Sequence, residues 1–267
     1  MTLRVATLNV WNRLGPWEQR CHLIRRGIAE LAPDVMGLQE VIRMEGDMGG
    51  FDQLAEISNG LGYHTAYGRS PEAPAWGNGN AILSRWPILE SAAFPLAGTD
   101  ESRSLVFARI DSPHGQIPFF TTHLNWMMHE GHVRQRQVRA VTDLVAEHAP
   151  LLQGRGGFPP ILVGDFNAEP DSDEIRFMRG LTGLGGKCVY FADSFGIAGE
   201  GQGATFSRRN PYAAQVREPN RRIDYIFVRG PDDKGRGEPL SSRVCFDQPS
   251  GEVWPTDHFG VYATLSV

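Results

Sequence analysis

Apolar and polar residues alternate over residues 3–9, the period of a strand with one buried face, and the run ends in the polar side chains of Asn9 and Asn12. Over residues 17–31 the period lengthens: Leu23, Ile24, Ile28 and Leu31 fall at helical spacing before Pro33 closes the segment. A second strand, residues 34–39, delivers Glu40 at its end. Residues 44–50 read as a Gly- and Met-rich loop and residues 51–61 as a helix. Short strands follow at 63–68, 80–84, 88–96, 105–110 and 117–122, separated by Gly, Pro and Asp, which predicts a largely antiparallel block. A Pro- and Gly-rich loop carrying Trp76, residues 69–79, interrupts it. Helical spacing returns at 133–148 through Val138, Val141, Leu144 and Val145, with Arg134, Arg136 and Arg139 assigned for the most part to a solvated face.

In Ile161-Leu162-Val163-Gly164-Asp165-Phe166-Asn167 an aliphatic run predicts a buried strand that stops at Gly164, where the chain turns. On an extended backbone Asp165 and Asn167 point the same way and Phe166 points into the core. The structural alternative is an Asx turn after a strand. A short helix at 172–181, capped by Asp171 or Ser172, a loop-rich stretch at 183–203 and an Arg-rich polar segment at 208–222 precede a strong strand at 223–228. A turn at 231–239 follows. The last strands lie near Val244 and at 259–265, joined by the loop 254–258.

Composition narrows the class. With 267 residues, 41% of them hydrophobic, and no charged, Ser-rich or Pro-rich linker, one domain over 1–267 is expected. No window approaches the ~18 apolar residues that span a bilayer, so no membrane insertion is expected. The strand pattern at the N-terminus leaves no leader signature. The three cysteines are odd in number and widely spaced, which points away from a disulfide framework or a cysteine zinc site and towards a reducing, cytoplasmic setting. A formal net charge of -5 argues against binding long nucleic acid by bulk electrostatics, although a cluster of acids that holds a cation contributes to the same sign.

Acids, amides and histidines recur where apolar strands end: Asn9, Glu40, His123, Asp165, Asn167, Asp224, Asp257 and His258. Sites of layered α/β proteins are assembled at such ends. Each residue alone also has a structural reading. Glu40 fits a cap or surface carboxylate, His123 a core histidine bonded to a carbonyl, and Asp257 an N-cap. Asp224 lies between Ile223 and Tyr225 inside a strand, where a buried acid demands a partner.

Taken together, Thr7-Leu8-Asn9, Leu38-Gln39-Glu40, Thr122-His123-Leu124, Gly164-Asp165-Phe166-Asn167, Arg222-Ile223-Asp224-Tyr225-Ile226 and Thr256-Asp257-His258 resemble, in order, the motifs of the endonuclease/exonuclease/phosphatase superfamily, with the deoxyribonuclease I-like fold. Gly79-Asn80-Ala81-Ile82-Leu83-Ser84 resembles a further strand of that superfamily, and the resemblance covers the chain from Leu3 to Leu265. It implies an α/β, four-layer α/β/β/α sandwich with two mixed β-sheets packed face to face. It also implies metal-dependent hydrolysis of a phosphate ester, with a phosphodiester as the leading substrate. Mg²⁺, or alternatively Mn²⁺, would sit on Glu40, with Asn9 and Asp257 completing or flanking the shell, because hard oxygen donors suit these ions. Asp165 would activate water or ligate a second metal, and Asn167 would bind a phosphoryl oxygen or orient that water. His258 would pair with Asp224, and His123 would stabilise the transition state or protonate the leaving oxygen. Arg103 matches a phosphate-binding arginine of some members, or is a surface arginine.

The alternatives are a nuclease with the same chemistry and a catalytically silent binding module, which would have lost some of the acids or histidines retained here. Arg208-Arg209, Arg221-Arg222 and the Trp76 loop are candidates to flank nucleic acid. Met44, Met48, Trp126, Met127 and Met128 either line an apolar pocket or are scattered core residues, the second being the preferred reading. The 5-phosphatase subgroup is disfavoured, because residues 160–169 lack its Trp and Arg around the acid. No membrane-targeting hairpin is evident, and oligomeric state is left open.

Overall fold

The run Ile161–Asp165 forms a strand whose side chains alternate between two cores. Ile161 and Val163 enter one with Leu3, Val5, Val106 and Val261, and Leu162 enters another with Phe120, Val138 and Phe227. A strand covered on both faces reads as a continuous apolar run. The computed structural model describes residues 1–44, 50–70, 78–96, 102–150 and 157–267. Its elements are β1 (Thr2–Asn9), α1 (Trp17–Leu31), β2 (Val35–Ile42), α2 (Gln53–Ser58), β3 (His64–Gly68), β4 (Asn78–Ser84), β5 (Ile88–Pro95), β6 (Ser104–Ser112), β7 (Gly115–His123), α3 (Gly131–His148), β8 (Ile161–Asp165), α4 (Asp173–Met178), β9 (Ala192–Asp193), α5 (Ser194–Ala198), α6 (Pro211–Ala214), β10 (Asp224–Val228), β11 (Pro239–Cys245) and β12 (Gly260–Ser266).

The strands form two six-stranded sheets, in the orders β11-β12-β1-β2-β4-β3 and β5-β6-β7-β8-β10-β9. Each is mixed: β1 with β2 and β7 with β8 are parallel, and their other neighbours are antiparallel. The inner core lies between the sheets. A second core covers the first sheet's outer face with Trp17, Ile24 and Ile28 of α1 and with Leu54 and Ile57 of α2. The third covers the other outer face with Val138, Val141 and Val145 of α3 and Ile175 of α4. This is the expected α/β/β/α sandwich. The antiparallel block at 63–122 divides between the sheets, β3 and β4 in the first and β5 to β7 in the second.

The sheets approach closely where β2 crosses β8. A Cβ on Gly37 would lie 2.4 Å from Val163 Cγ2 and 2.8 Å from Thr121 Oγ1, so only glycine lets the strands meet here. Beside it Gln39 donates to Thr7 Oγ1 at 3.0 Å and to Thr121 Oγ1 at 2.8 Å, which satisfies a buried amide between the sheets. The register is thereby fixed next to the strand ends.

Several local expectations change. The strand does not stop at Gly164: it runs through to Asp165, and the glycine is there because a Cβ would lie 2.0 Å from the carbonyl oxygen of Thr122. β2 continues past Glu40 to Ile42 by way of a bulge between Leu38 and Val41. α2 and α4 are shorter than their patterns. Asp52 caps α2 by accepting from Ala55 N, while the Ser172 side chain makes no cap and donates to the Glu169 carbonyl. The stretch 183–203 contains β9 and α5. Arg134 is buried on α3 and donates to buried Glu174 at 3.0 Å, so it does not belong to a solvated face. No helix of the described residues is long and apolar enough to cross a membrane. Cys21, Cys188 and Cys245 are free thiols. Trp76 and Met48 lie outside the described residues.

Candidate active site

The strand ends converge on one cleft of about 920 Å³, lined among others by Glu40, Arg103, His123, Asp165, Asn167, Asp257 and His258. Asn9 and Asp224, both buried, stand one step behind it. All nine positions expected from the sequence therefore meet in one place, from both sheets.

At the end of β1, Asn9 Nδ2 donates to Glu40 Oε1 at 3.1 Å and to Asp165 Oδ2 at 3.0 Å, and so ties a carboxylate of one sheet to a carboxylate of the other. The amide oxygen accepts from Trp11 N at 2.9 Å. Glu40 has a φ of +58°, an uncommon conformation for a non-glycine residue, which the bulge in β2 imposes. Its other oxygen accepts from Asn12 Nδ2 at 3.3 Å.

Asp165 Oδ1 accepts from Asn167 N at 2.9 Å, and Asn167 has a φ of +49°. The backbone is therefore an Asx turn and is not extended, and the two readings offered by the sequence coexist. Phe166 still points into the core against Tyr225 and Phe227. The turn aims Asn167 Nδ2 at the Leu124 carbonyl, 3.1 Å away, and at His123 Nε2, also at 3.1 Å.

The buried acid Asp224 finds its partner in His258, whose Nδ1 lies 3.0 Å from Asp224 Oδ2 and whose Nε2 lies 3.7 Å from Asp165 Oδ2. Burial alone would lower the His258 pKa, but the charges of Asp224, Asp165 and Asp257 override it and hold the group well above its ordinary value. Asp165, Asp224 and His258 each bring one ligand-type atom within 4.8 Å of the others, yet as an imidazolium His258 already supplies the cation there. Burial, reinforced by Asp224, drives Asp165 up to about 7 against the opposing pull of His258. Burial likewise pushes Asp257 up to about 6, with the Glu40 charge acting in the same direction.

His123 is set differently. Its Nδ1 is 2.8 Å from Arg103 Nη1 and its Nε2 is 3.5 Å from Asp165 Oδ2. Burial, then the charges of Arg103 and His258, lower its pKa well below the ordinary value.

Arg20 escaped the sequence reading, and Arg221 and Asn12 support the site in ways it did not assign. Arg20 is fully buried and donates to the carbonyls of Val10, of Leu14 at 2.5 Å and of Pro255 at 3.1 Å, joining the loop after β1 to the loop before Asp257. Its signal was position: it falls three residues after Trp17 and four before Ile24, on the apolar face of α1. Burial lowers its pKa to about 10. Arg221, also buried, props the Asx turn by donating to the Asn167 carbonyl at 3.0 Å. Asn12 supports Glu40 as described above.

The arginines expected to flank nucleic acid each have a partner within the chain. Arg222 pairs with buried Asp193 at 2.8 Å, Arg221 with Glu218 at 2.8 Å and Arg209 with Asp247 at 2.7 Å, and Arg208 donates to the Glu218 carbonyl. Part of the rim is apolar. Trp126, Leu14 and Val216 line the cleft while each is about half exposed. Trp126 is thus a wall of the cleft, and Met128 is exposed, so neither is a core residue.

The model of the Endonuclease/Exonuclease/phosphatase family matches residues 6–258. The uncharacterized protein YbhP of Escherichia coli K12 is 27% identical over 180 residues, which span 62% of this chain and 67% of YbhP. Among solved structures, an endonuclease/exonuclease/phosphatase from Bacteroides vulgatus superposes with a TM-score of 0.78 at 18% identity, over 100% of this chain and 99% of that one. TDP2 of D. rerio, solved in complex with a single-strand DNA product, gives 0.78 at 20% identity over the same shares. At these identities the structural matches speak to the fold.

Proposed function

The chain belongs to the endonuclease/exonuclease/phosphatase family, and from that premise we propose that it hydrolyses a phosphodiester by in-line attack of water. Members of the family are generally hydrolases of phosphate esters. The observation that carries the reading for this chain is Asp165: a buried carboxylate held by Asn9 and Asn167, poised near neutrality and directed into the cleft between two histidines. A general base works best with a pKa near the operating pH.

Phosphodiesters repel nucleophiles through their anionic oxygens, so the site must neutralise charge while it holds water in line. His258, kept protonated by Asp224, places a cationic N–H beside Asp165. Asn167 and His123 line the opposite side and orient the phosphoryl oxygens. Arg103 adds a positive charge at the same wall. Asp165 takes the proton of the attacking water as the water oxygen bonds to phosphorus; the ester P–O bond opposite breaks, and the leaving oxygen takes up a proton from solvent.

Glu40 and Asp257 fit a divalent cation. Each is a hard oxygen donor at the cleft, and their mutual repulsion, evident in the raised pKa of Asp257, is what a bound cation relieves. Asn9, with its oxygen engaged by Trp11, flanks this pair. Mg²⁺ or Mn²⁺ bound there supplies positive charge to the phosphoryl oxygens.

Nuclease activity is the second reading, favoured by the exposed Trp126 at the rim, a surface on which a base can stack. The test is hydrolysis of bis-p-nitrophenyl phosphate. Mg²⁺ or Mn²⁺ should support turnover, EDTA should abolish it, and Asp165→Asn should reduce kcat by about 100-fold or more with the fold intact by circular dichroism. Full activity of Asp165→Asn contradicts the mechanism. Parallel assays on plasmid, oligonucleotide, sphingomyelin and inositol phosphates separate the substrate classes.

A further inference from the structure

Two donors face His123, and a neutral imidazole has only one nitrogen free to accept. Arg103 Nη1 lies 2.8 Å from Nδ1, and Asn167 Nδ2 lies 3.1 Å from Nε2. The two contacts are unequal. A guanidinium carries donors only and a permanent charge, so its bond to Nδ1 is charge-assisted and cannot be reversed by rotating the group. The Asn167 amide is neutral and has another acceptor, the Leu124 carbonyl at 3.1 Å. Nε2 also has an acceptor within reach, Asp165 Oδ2 at 3.5 Å. The Nε2 surroundings are divided, with the Asn167 donor at 3.1 Å opposing a proton there and Asp165 Oδ2 at 3.5 Å accepting one, so the charged donor on Nδ1 decides: Nδ1 carries the lone pair and Nε2 the proton.

We propose that Arg103 is a positioning residue that locks His123 in the Nε2–H tautomer, so that a neutral N–H points into the cleft beside Asp165. The consequence for the reaction rests on the phosphodiesterase reading: His123 acts as a fixed hydrogen-bond donor to a phosphoryl oxygen, and without the donor at Arg103 the ring is free to turn its lone pair to that oxygen. No covalent step is added. The arrangement differs from substrate capture by Arg103 in what it changes, since a lost phosphate contact raises KM whereas a reversed tautomer lowers kcat.

The test is ¹⁵N NMR of the full-length protein labelled at histidine, recorded without substrate and with EDTA. The wild type should show His123 with Nε2 protonated and Nδ1 bare, in excess over the other tautomer by at least about tenfold. Arg103→Lys, which keeps a donor-only cation, should preserve that pattern. Arg103→Glu offers an acceptor and should put a proton on Nδ1, as the Nδ1–H tautomer or as an imidazolium held the way Asp224 holds His258, and Arg103→Met should give a mixture of the two neutral tautomers. In the turnover assay Arg103→Met should lower kcat by more than about tenfold, over and above the rise in KM from the lost positive charge, and Arg103→Lys should lose less than about tenfold. A wild-type spectrum with Nδ1 protonated overturns the proposal, and so does a bare Nδ1 in both Arg103→Glu and Arg103→Met. Because the spectrum needs no turnover, an Nε2–H tautomer in a chain that hydrolyses no phosphodiester would sink the functional reading and leave the lock standing.

Discussion

His123 and His258 reach the same carboxylate oxygen, Asp165 Oδ2, at 3.5 and 3.7 Å, from opposite electrostatic surroundings. The Nδ1 of His258 rests on Asp224 at 3.0 Å, and that of His123 meets Arg103 at 2.8 Å. Both rings are buried. Burial lowers both pKa values, so the sign of the neighbouring charge decides between them: three carboxylates hold His258 as a cation, and Arg103 helps keep His123 neutral. One residue type thus supplies a charge on one side of the base and an uncharged donor on the other. The lesson is that a histidine's chemistry is set by what faces its second nitrogen.

The largest expected effect comes from breaking the cationic side. Asp224→Asn keeps the shape but removes the carboxylate that holds the imidazolium, and kcat in the diesterase assay should fall by about 1,000-fold. A loss below about tenfold would mean that the charge on His258 is dispensable. The neutral side should be more forgiving. Glutamine carries an uncharged N–H, so His123→Gln should cost only about tenfold, while the same change at His258 should match Asp224→Asn. Equal losses at the two histidines would erase the distinction between them.

Much of this site was legible in the sequence because strands that are apolar throughout can display polar residues only where they end. Asn9, His123, Asp165 and Asp224 obey that rule, whereas Glu40 stands at a bulge within β2. The inner details were not legible. Nothing local marks Asn9 as the bridge between Glu40 and Asp165, because the two acids come from different sheets and lie 31 and 156 residues away. The buried pairs Arg222–Asp193 and Arg134–Glu174 were hidden for the same reason: a charge whose partner is distant in sequence reads as solvated. Glu40 at positive φ and Gly164 within a strand follow from bulges and close strand contacts, which depend on the neighbouring strand. The alternative of an Asx turn at Asp165 and Asn167 never competed with a functional role, since the turn is what brings Asn167 to His123.

The central claim is that the base is Asp165, between a permanent cation and a neutral donor. The dependence of kcat on pH between about 5 and 9 tests it most directly. Asp165 must be deprotonated to accept a proton and its pKa is about 7, so kcat should rise as pH passes through neutrality. It should then hold for as long as His258, raised by its carboxylate neighbours, keeps its proton, while His123, lowered by burial and Arg103, adds no fall near neutrality. A kcat that falls between about pH 6 and 8 would require a protonated His123 as the acid, and would contradict the account.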